Sequence, residues 1–562
     1  MHERRTRKSE RTIAEHSLKV VTNTSLRIAL KPLLYAVLIA SGMALGYYTK
    51  GVKKDKFSQI LDIIKNDYVD STSSADIEEE SIDFLLSQLD PHSSYIPPEL
   101  AEQNARQIAG KYEGLGIEYI VFKDTLFIYN ISKGSPAEIA GLLPGDRLLK
   151  ANGRKLTDSI SSKKISEALQ GTEGSNAELS LYRRSGNKYF NVSVARQTIV
   201  VNSSDVLYMV DKHLGYIRID RFSGNTHRQF VAAMQKLQTL GMTDLLIDLR
   251  NNGGGLLSEA IAIANEFLEK DALISYTEGL HRKKTEYRAD GNGSFKKGRL
   301  LLLINHNTAS ASEILAGALQ DNDRAVLIGN RSFGKGLVQE PFQLMDGSTL
   351  RLTIARYYTP SGRSIQKPYS GNMTAYRNEI YKRNNLADTL EPALDSALIK
   401  EFFTRNGRVL TPGGGIRPDI ILRDTTADST EIEMLLPGLF YSHIFDVYLL
   451  DAMQSEISFV KQHYKHVDDF DRSYDVSDAH VRKLIQLAQS IPYLRKLVYS
   501  KKSAAVIRKH LKAAIAYRIY GEIGNSMVIN KEEGIFSKSL EVLKNYKAIL
   551  NIGKQKGRNF DY

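Results

Sequence analysis

Residues 305–339 read NHNTASASEILAGALQDNDRAVLIGNRSFGKGLVQ, and the fold turns on how this stretch is understood. The apolar run Leu300 to Ile304 enters it. Short, continuous and β-compatible, that run is expected to be a buried strand. A small-residue turn through Asn307, Thr308, Ala309 and Ser310 follows, and then a helix-forming run over 311–319. Ser310 is thereby placed where a strand turns into a helix, beside backbone N–H groups without intrahelical partners and at the positive end of the helix dipole. Ser310 or Ser312 could do no more than cap that helix, as serine commonly does. The second half of the stretch argues for more: Lys335 stands between Gly334 and Gly336, directly ahead of a β-type run.

At 562 residues the chain is too long for one core, and about two to four domains are expected. Its charged fraction of 25% and apolar fraction of 42% are ordinary for a globular protein, which argues against long-range disorder. A formal charge of +12 suggests acidic partners such as nucleic acid or lipid headgroups, although part of the excess lies in the N-terminal arm. With no cysteine, a disulfide scaffold, a thiolate metal site and a cysteine nucleophile are all excluded, while the compartment stays open.

The arm, residues 1–31, carries eight Lys or Arg against three Glu. The uncharged apolar segment PLLYAVLIASGMALGYY, residues 32–48, follows it at the short edge of what spans a bilayer. Small residues such as Ala40-Ser41-Gly42 would suit signal cleavage. The pair Tyr47-Tyr48, followed by Lys50, Lys53 and Lys54, better fits an interfacial exit. An uncleaved signal-anchor is therefore expected, with residues 1–52 forming a cytoplasmic arm and single membrane helix, and the remainder extracytoplasmic.

Residues 53–110 are patterned as helices, with apolar stripes at Phe57, Ile60, Leu61 and Ile64 and at Ile82, Phe84, Leu85 and Leu89. The segment LDPHSSY, residues 89–95, ends them; His92, next to proline and before a turn, is read as a structural hydrogen-bonding residue. Residues 111–198 change character. Gly114-Leu115-Gly116-Ile117 precedes alternating strands, then Gly134-Ser135-Pro136-Ala137 leads a short helix, and Leu143-Pro144-Gly145-Asp146 leads into RLLKANG. Together these resemble a PDZ domain, which binds a chain end by adding it as a strand. Residues 114–117 would then receive the terminal carboxylate on backbone N–H groups, with hydrophobes around the last side chain. A small β-barrel with glycine turns is the competing reading of the segment.

From 199 to 424 strands alternate with helices, implying an α/β core with crossovers. One strand, 245–249, ends in Arg250-Asn251-Asn252-Gly253-Gly254-Gly255 before a helix over 256–268. Three glycines there could cradle a phosphate, since N–H groups would be exposed. Neither Gly-Lys-Ser/Thr nor G-x-G-x-x-G spacing is present. They could equally form an oxyanion donor loop, and the residues by themselves leave the two uses open.

DLRNNGGGLL, NTASASEILAGALQDNDRA, SFGKGLVQ, ARYYTPSGRSIQ (355–366) and GGGIRPD (413–419), in that order, are similar to the C-terminal processing peptidases, also called tail-specific proteases. LDPHSSY and the PDZ-like insert fall where that family has them, and the similarity runs over about residues 54–423. The resemblance implies Ser310 as nucleophile, Lys335 as general base and Gln339 as the residue supporting the lysine. It further implies an oxyanion hole from the Ala311 N–H and one N–H of the glycine loop, with Gly254 and Gly255 the candidates. Where the family commonly has Ser-Ala-Ser-Ala-Ser-Glu, this chain has Thr308 in the first place, upstream of the nucleophile.

The implied chemistry is coherent. A serine hydroxyl is a poor nucleophile until a base takes its proton. Lysine serves as that base only if desolvation lowers its pKa by several units, and Phe333, Leu337 and Val338 are suited to supply an apolar wall. Gln339 can orient an amine without restoring a charge, which an Asp would do. Asp346-Gly347 marks a hairpin turn between 340–345 and 348–356. His306, with no acidic partner identifiable, is read as structural. No HExxH or His-carboxylate cluster occurs, so neither metal nor cofactor is expected.

Residues 425–562 are helical and basic. Their cations are read as solvated helix faces, without the aromatic interleaving of a nucleic-acid groove, so no nucleic-acid partner is expected. They are expected to form an added extension for oligomerisation or adaptor docking. The whole is expected to be a multidomain α+β protein: a membrane helix (1–52), a helical segment (53–110), a PDZ-like β-rich domain (111–198), an α/β Ser/Lys protease core (199–424) and a helical C-terminal extension (425–562). The expected function is a serine endopeptidase of the inner membrane, facing the periplasm, that engages protein or peptide substrates by their C-terminal tails. A catalytically silent peptide-binding scaffold is the alternative.

Overall fold

The computed structural model describes residues 32, 35–43, 56–71, 73–156, 162–204, 206–385, 401–422 and 431–551. By packing, the chain divides into two units, Met1–Ile82 and Asp83–Tyr562. In the first, residues 35–43 are helical, and helix Lys56–Asp67 shows Phe57, Ile60 and Ile63 on an exposed stripe. Much of the expected span 32–48 lies outside the described residues. Among the described residues, no helix is long and apolar enough to cross a membrane.

In the second unit the LDPHSSY segment, expected to close a helical region, contributes a short strand β1 (Ser94–Ile96). After helix Pro98–Ala109 come β2 (Lys111–Gly114), β3 (Ile117–Phe122), β4 (Thr125–Ile131), β5 (Arg147–Ala151), β6 (Arg154–Lys155), β7 (Asn176–Arg183), β8 (Lys188–Ala195) and β9 (Gln197–Val200). The sheet order is β3-β4-β5-β7-β8, antiparallel throughout, with β6 on β5; β2 pairs with β9 where the chain enters and leaves. β3 is therefore an edge strand. The β3–β4 hairpin is apolar on both faces: Leu126 and Ile128 point into the core of this sheet, while Ile120 and Phe127 pack on Val447 and Leu450. Period-two alternation sorts the two sets.

The rest of the unit holds β10 (Leu207–Met209), β11 (Leu214–Arg218), β12 (Asp244–Asp248), β13 (Leu273–Gly279), β14 (Arg282–Arg288), β15 (Leu300–Ile304), β16 (Val326–Gly329), β17 (Leu337–Gln343), β18 (Thr349–Tyr358), β19 (Phe402–Phe403), β20 (Val409–Leu410) and β21 (Ile420–Ile421). Among the described residues the central sheet has six strands in the order β10-β11-β12-β15-β16-β21, all parallel pairs except β10–β11. Its strands read as continuous apolar runs because both faces are covered. Leu300, Leu302 and Ile304 face the crossover helices Thr226–Thr239, Leu257–Asn265 and Ala311–Asp321. Leu301 and Leu303 face Ile535, Val542, Leu543 and Tyr546. Each such side chain, fully buried, contributes about 1.5–3 kcal/mol.

Part of the segment 425–562, expected as an added extension, thus supplies the second layer of the core. A second sheet, β1-β18-β13-β14 with β17 on β18, stands beside the first. The Asp346-Gly347 hairpin is present with Gly347 at φ 88°, but β17 starts at Leu337, earlier than the expected 340. That shift brings Gln339 into the strand.

Candidate active site

β15 ends at Ile304, and helix Ala311–Asp321 starts directly after Ser310. Ser310 lies between them at φ 57° and ψ −118°, a conformation that L-residues rarely adopt and that marks a tightly determined turn. It is half-buried, and the helix behind it is buried over its whole length. As the first helical residue, Ala311 has an N–H without an intrahelical acceptor.

The glycine loop closes on this turn. Asn252 is fully buried and holds the two segments together: its carbonyl accepts from the Ala309 N–H (3.0 Å) and from Ser312 Oγ (3.0 Å), and its Nδ2 donates to Ile219 O (2.8 Å). Ser312 is thus a buried structural serine. Gly254 has φ 99°, and a Cβ there would lie 2.8 Å from Ser310 Cβ and 2.9 Å from Ala311 N, so only glycine allows this approach. The Gly254 N–H, however, donates to Asn252 Oδ1 (2.9 Å), which engages one of the two amides considered for the oxyanion hole. Gly255 bridges to Phe222 through Gly254 O and Leu256 N–H, a pairing that does not use its own N–H.

Lys335 is brought to the same place by a residue that the sequence did not single out. Glu313, completely buried, accepts from the Ser310 N–H (2.8 Å) and Lys335 N–H (2.9 Å) on Oε2, and from Ser332 Oγ (2.5 Å) and Gly334 N–H (2.8 Å) on Oε1. One carboxylate thereby ties the serine turn to the lysine turn. Burial pushes its pKa up to about 7, against the pull of these four donors. The signal was present: a Glu three residues into a helix is the capping-box position. The Tyr357 hydroxyl makes a second tie, lying 2.5 Å from Lys335 O and 3.2 Å from Ser310 O.

Lys335 Nζ donates to Gln339 Oε1 at 2.8 Å. Gln339 Nε2 in turn donates to the carbonyl of His92, so the LDPHSSY segment fixes which way the amide points. Burial and then the positive charge of Arg351 pull the Lys335 pKa below the usual lysine value, with Asp90 and Glu313 opposing. Phe333, Leu337 and Val338 were expected to form the apolar wall; Leu337 is buried and Val338 packs on the core. Phe333 lies in an aromatic group with His92 and Tyr376. The His92 ring is 2.9 Å from the Tyr376 hydroxyl, and burial, then Lys335, lowers its pKa to about 4.

The remaining motifs build the surroundings. Gln366 Oε1 accepts from the Gly336 N–H (2.8 Å), and a Cβ on Gly334 would lie 2.8 Å from Gly414 C, so the Gly-Lys-Gly turn packs backbone to backbone on the GGGIRPD loop. Arg363 pairs with Asp321 (2.8 Å), both fully buried, and Arg408 pairs with Asp323 (2.7 Å) and Asp419 (2.5 Å). These ion pairs lie at the far end of the Ser310 helix and hold it to the loops that carry the conspicuous sequence motifs.

The PDZ-like residues 114–117 lie apart from this group in sequence and sheet. Gly114 ends β2, Leu115 is buried, and Ile117 opens the edge strand β3. Leu115 O accepts from Ala137 N–H (3.0 Å) and Gly116 O from Ser132 N–H (2.8 Å), so the loop is anchored by its carbonyls.

Comparison with known proteins agrees with this architecture. Residues 213–371 match peptidase family S41, residues 127–183 match a PDZ domain, and residues 436–521 match a family of unknown function. The chain is similar to the carboxy-terminal-processing protease of Bartonella bacilliformis, 35% identical over 315 residues, covering 55% of this chain and 72% of that protein. It is also similar to the carboxy-terminal processing protease CtpA of Bacillus subtilis, 34% identical over 321 residues, covering 56% of this chain and 67% of that protein. Among solved structures, a photosystem II D1 C-terminal processing protease aligns at 26% identity and TM-score 0.34 over 65% of this chain and 86% of that one.

Proposed function

The chain belongs to peptidase family S41, among the carboxy-terminal processing proteases with a PDZ domain, and from that premise we propose that it is a serine endopeptidase working through a Ser310–Lys335 dyad. The observation that carries the reading is the Glu313 carboxylate, which binds the main-chain N–H of both residues and so holds the lysine turn beside the serine turn.

In this mechanism neutral Lys335 takes the Ser310 Oγ proton as Oγ attacks the scissile carbonyl carbon. Negative charge on the carbonyl oxygen is met by the Ala311 N–H and a second amide of the glycine loop, for which Gly255 is suited because Gly254 is already engaged. The Lys335 ammonium then protonates the leaving amine, the C–N bond breaks, and an acyl-serine ester remains. Lys335, neutral again, takes a proton from water, the hydroxide attacks the ester, and the proton returns to Ser310 Oγ as the carboxylate product leaves. Gln339 orients the amine throughout without adding a charge.

Substrate is engaged by its C-terminal end, which adds as a strand to the free edge of β3 with its carboxylate on the N–H groups of residues 114–117. Residues 32–48 anchor the chain in the inner membrane, with the catalytic part on the periplasmic side.

Ser310→Ala and Lys335→Met are each expected to abolish cleavage of a protein bearing an apolar C-terminal tail while leaving thermal unfolding unchanged. Full cleavage by either variant would sink the assignment.

A further inference from the structure

Helix Lys501–Glu532 reaches the glycine loop. It breaks at Gly521 (φ 69°, ψ −160°), and its second half runs along the face of the central sheet that the crossover helices leave free. Asn530, almost fully buried, accepts on Oδ1 from Arg250 Nη2 at 2.5 Å and donates through Nδ2 to the Tyr208 hydroxyl (3.1 Å) and Ser526 Oγ (3.2 Å). Glu533, just past the helix end, accepts from Arg250 Nη1 at 3.2 Å.

Arg250 is the first residue of the glycine loop, and its backbone is already fixed. Its N–H and guanidinium both bond Asp248, which is buried and also accepts from the Tyr216 hydroxyl (2.7 Å). The next residue, Asn251, sits at φ 62° and exchanges hydrogen bonds with Asn305. The residue after that is Asn252, which ties the loop to Ala309. Arg250, Asn251, Asn252 and the Gly254 N–H are thus each held by side-chain bonds, and the guanidinium is the point at which the C-terminal segment enters that series.

We propose that Asn530 and Glu533 are positioning residues for the reaction: by fixing the Arg250 guanidinium they set the glycine loop against Ser310 and Ala311. The inference rests on the serine-peptidase reading above. Both residues wall a cavity of about 870 Å³ that extends past Asn305 and His306, so water is at hand to solvate Arg250 when either is removed. What they contribute is direction. An oxyanion donor loop loses catalytic power when displaced by a fraction of an ångström, whereas substrate binding at a distant groove does not sense it.

The test uses the full chain with a tail-bearing peptide substrate, reading kcat, KM, tail-peptide affinity and thermal unfolding for Asn530→Ala, Asn530→Asp and Glu533→Gln. Asn530→Ala is expected to lower kcat roughly tenfold to a hundredfold with KM and tail affinity unchanged. Asn530→Asp is expected to recover most of the loss, because its carboxylate keeps an acceptor for Arg250 and Tyr208 can turn its hydroxyl to donate. Glu533→Gln, at a partly exposed site, is expected to give a smaller fall in kcat with unfolding unchanged. Wild-type kcat in both Asn530→Ala and Glu533→Gln overturns the inference, as does an Asn530→Asp loss equal to that of Asn530→Ala. A wild-type chain that cleaves nothing overturns the peptidase reading itself, a distinct result.

Discussion

A lysine base depends on what surrounds its amine. Lys335 is half-buried and its amine faces a neutral amide, while Arg351, two residues from Thr353 along β18, adds like charge from the strand paired with the one holding Gln339. Removing that charge raises the Lys335 pKa and lowers the fraction of free amine near neutrality. Arg351→Met is therefore expected to move the ascending limb of the kcat/KM profile to higher pH, and an unmoved limb would remove Arg351 from the account. The sign for stability follows from the same depression. Between its folded value and the usual lysine value the unfolded chain binds more protons, so the Lys335 contribution is present at alkaline pH and lost as pH falls through the folded value. Glu313 acts in the opposite sense: raised to about 7, its contribution is present in acid and lost as pH rises toward 7.

Among elements, the β3–β4 hairpin and helix Lys501–Glu532 do the most beyond their own packing. Among the described residues the hairpin forms an edge of its sheet, and its outer face is covered by helix Ile444–Ala452. Arg518 seals this contact. It donates to Tyr129 O, lies 4.5 Å from the Tyr129 ring, and sits 3.6 Å from Asp446, while Tyr517 stacks on Tyr129 at 5.8 Å. Asp451 pairs with Arg147 and Arg184 nearby. Arg518→Ala should therefore loosen the hairpin locally, since a buried carbonyl loses its donor and two rings lose their cation. Faster amide exchange over 125–131, with β15 still protected, is the expected result; uniform protection would show that apolar packing alone holds the hairpin. The helix also needs Gly521, whose φ and ψ lie in a region essentially restricted to glycine, to turn from the hairpin toward the glycine loop.

At the scale of the whole molecule, one C-terminal segment touches both the PDZ-like sheet and the active-site loop, so the two are parts of a single packed unit. The N-terminal residues are a separate matter of solvent. The proposed anchor rests on sequence pattern alone, a basic arm followed by an uncharged apolar run. Removal of residues 1–52 is expected to transfer the chain from the membrane fraction to the soluble fraction without loss of peptide cleavage. Retention of the shortened chain in membranes would refute the anchor.

The sequence by itself determined whatever depends on neighbours along the chain. Leu300–Ile304 had to be a buried strand, Ser310 had to stand at a helix start, and Asp346-Gly347 had to turn a hairpin, because periodicity and turn chemistry act over a few residues. The order of the motifs also sufficed to name the family. Only the tertiary structure decided which partners those residues meet. Gln339 is oriented by a carbonyl 247 positions away, Arg250 by an amide 280 positions away, and the Gly254 N–H proves to be spent on Asn252. Glu313 was visible as a cap, but not as the carboxylate joining Ser310 to Lys335. Nor could a helical pattern reveal that residues 535–546 cover the second face of the central sheet. The reason is physical: an amphipathic helix records that it has a buried face, and a polar side chain that it needs a partner, while the identity of either is set by packing across the fold.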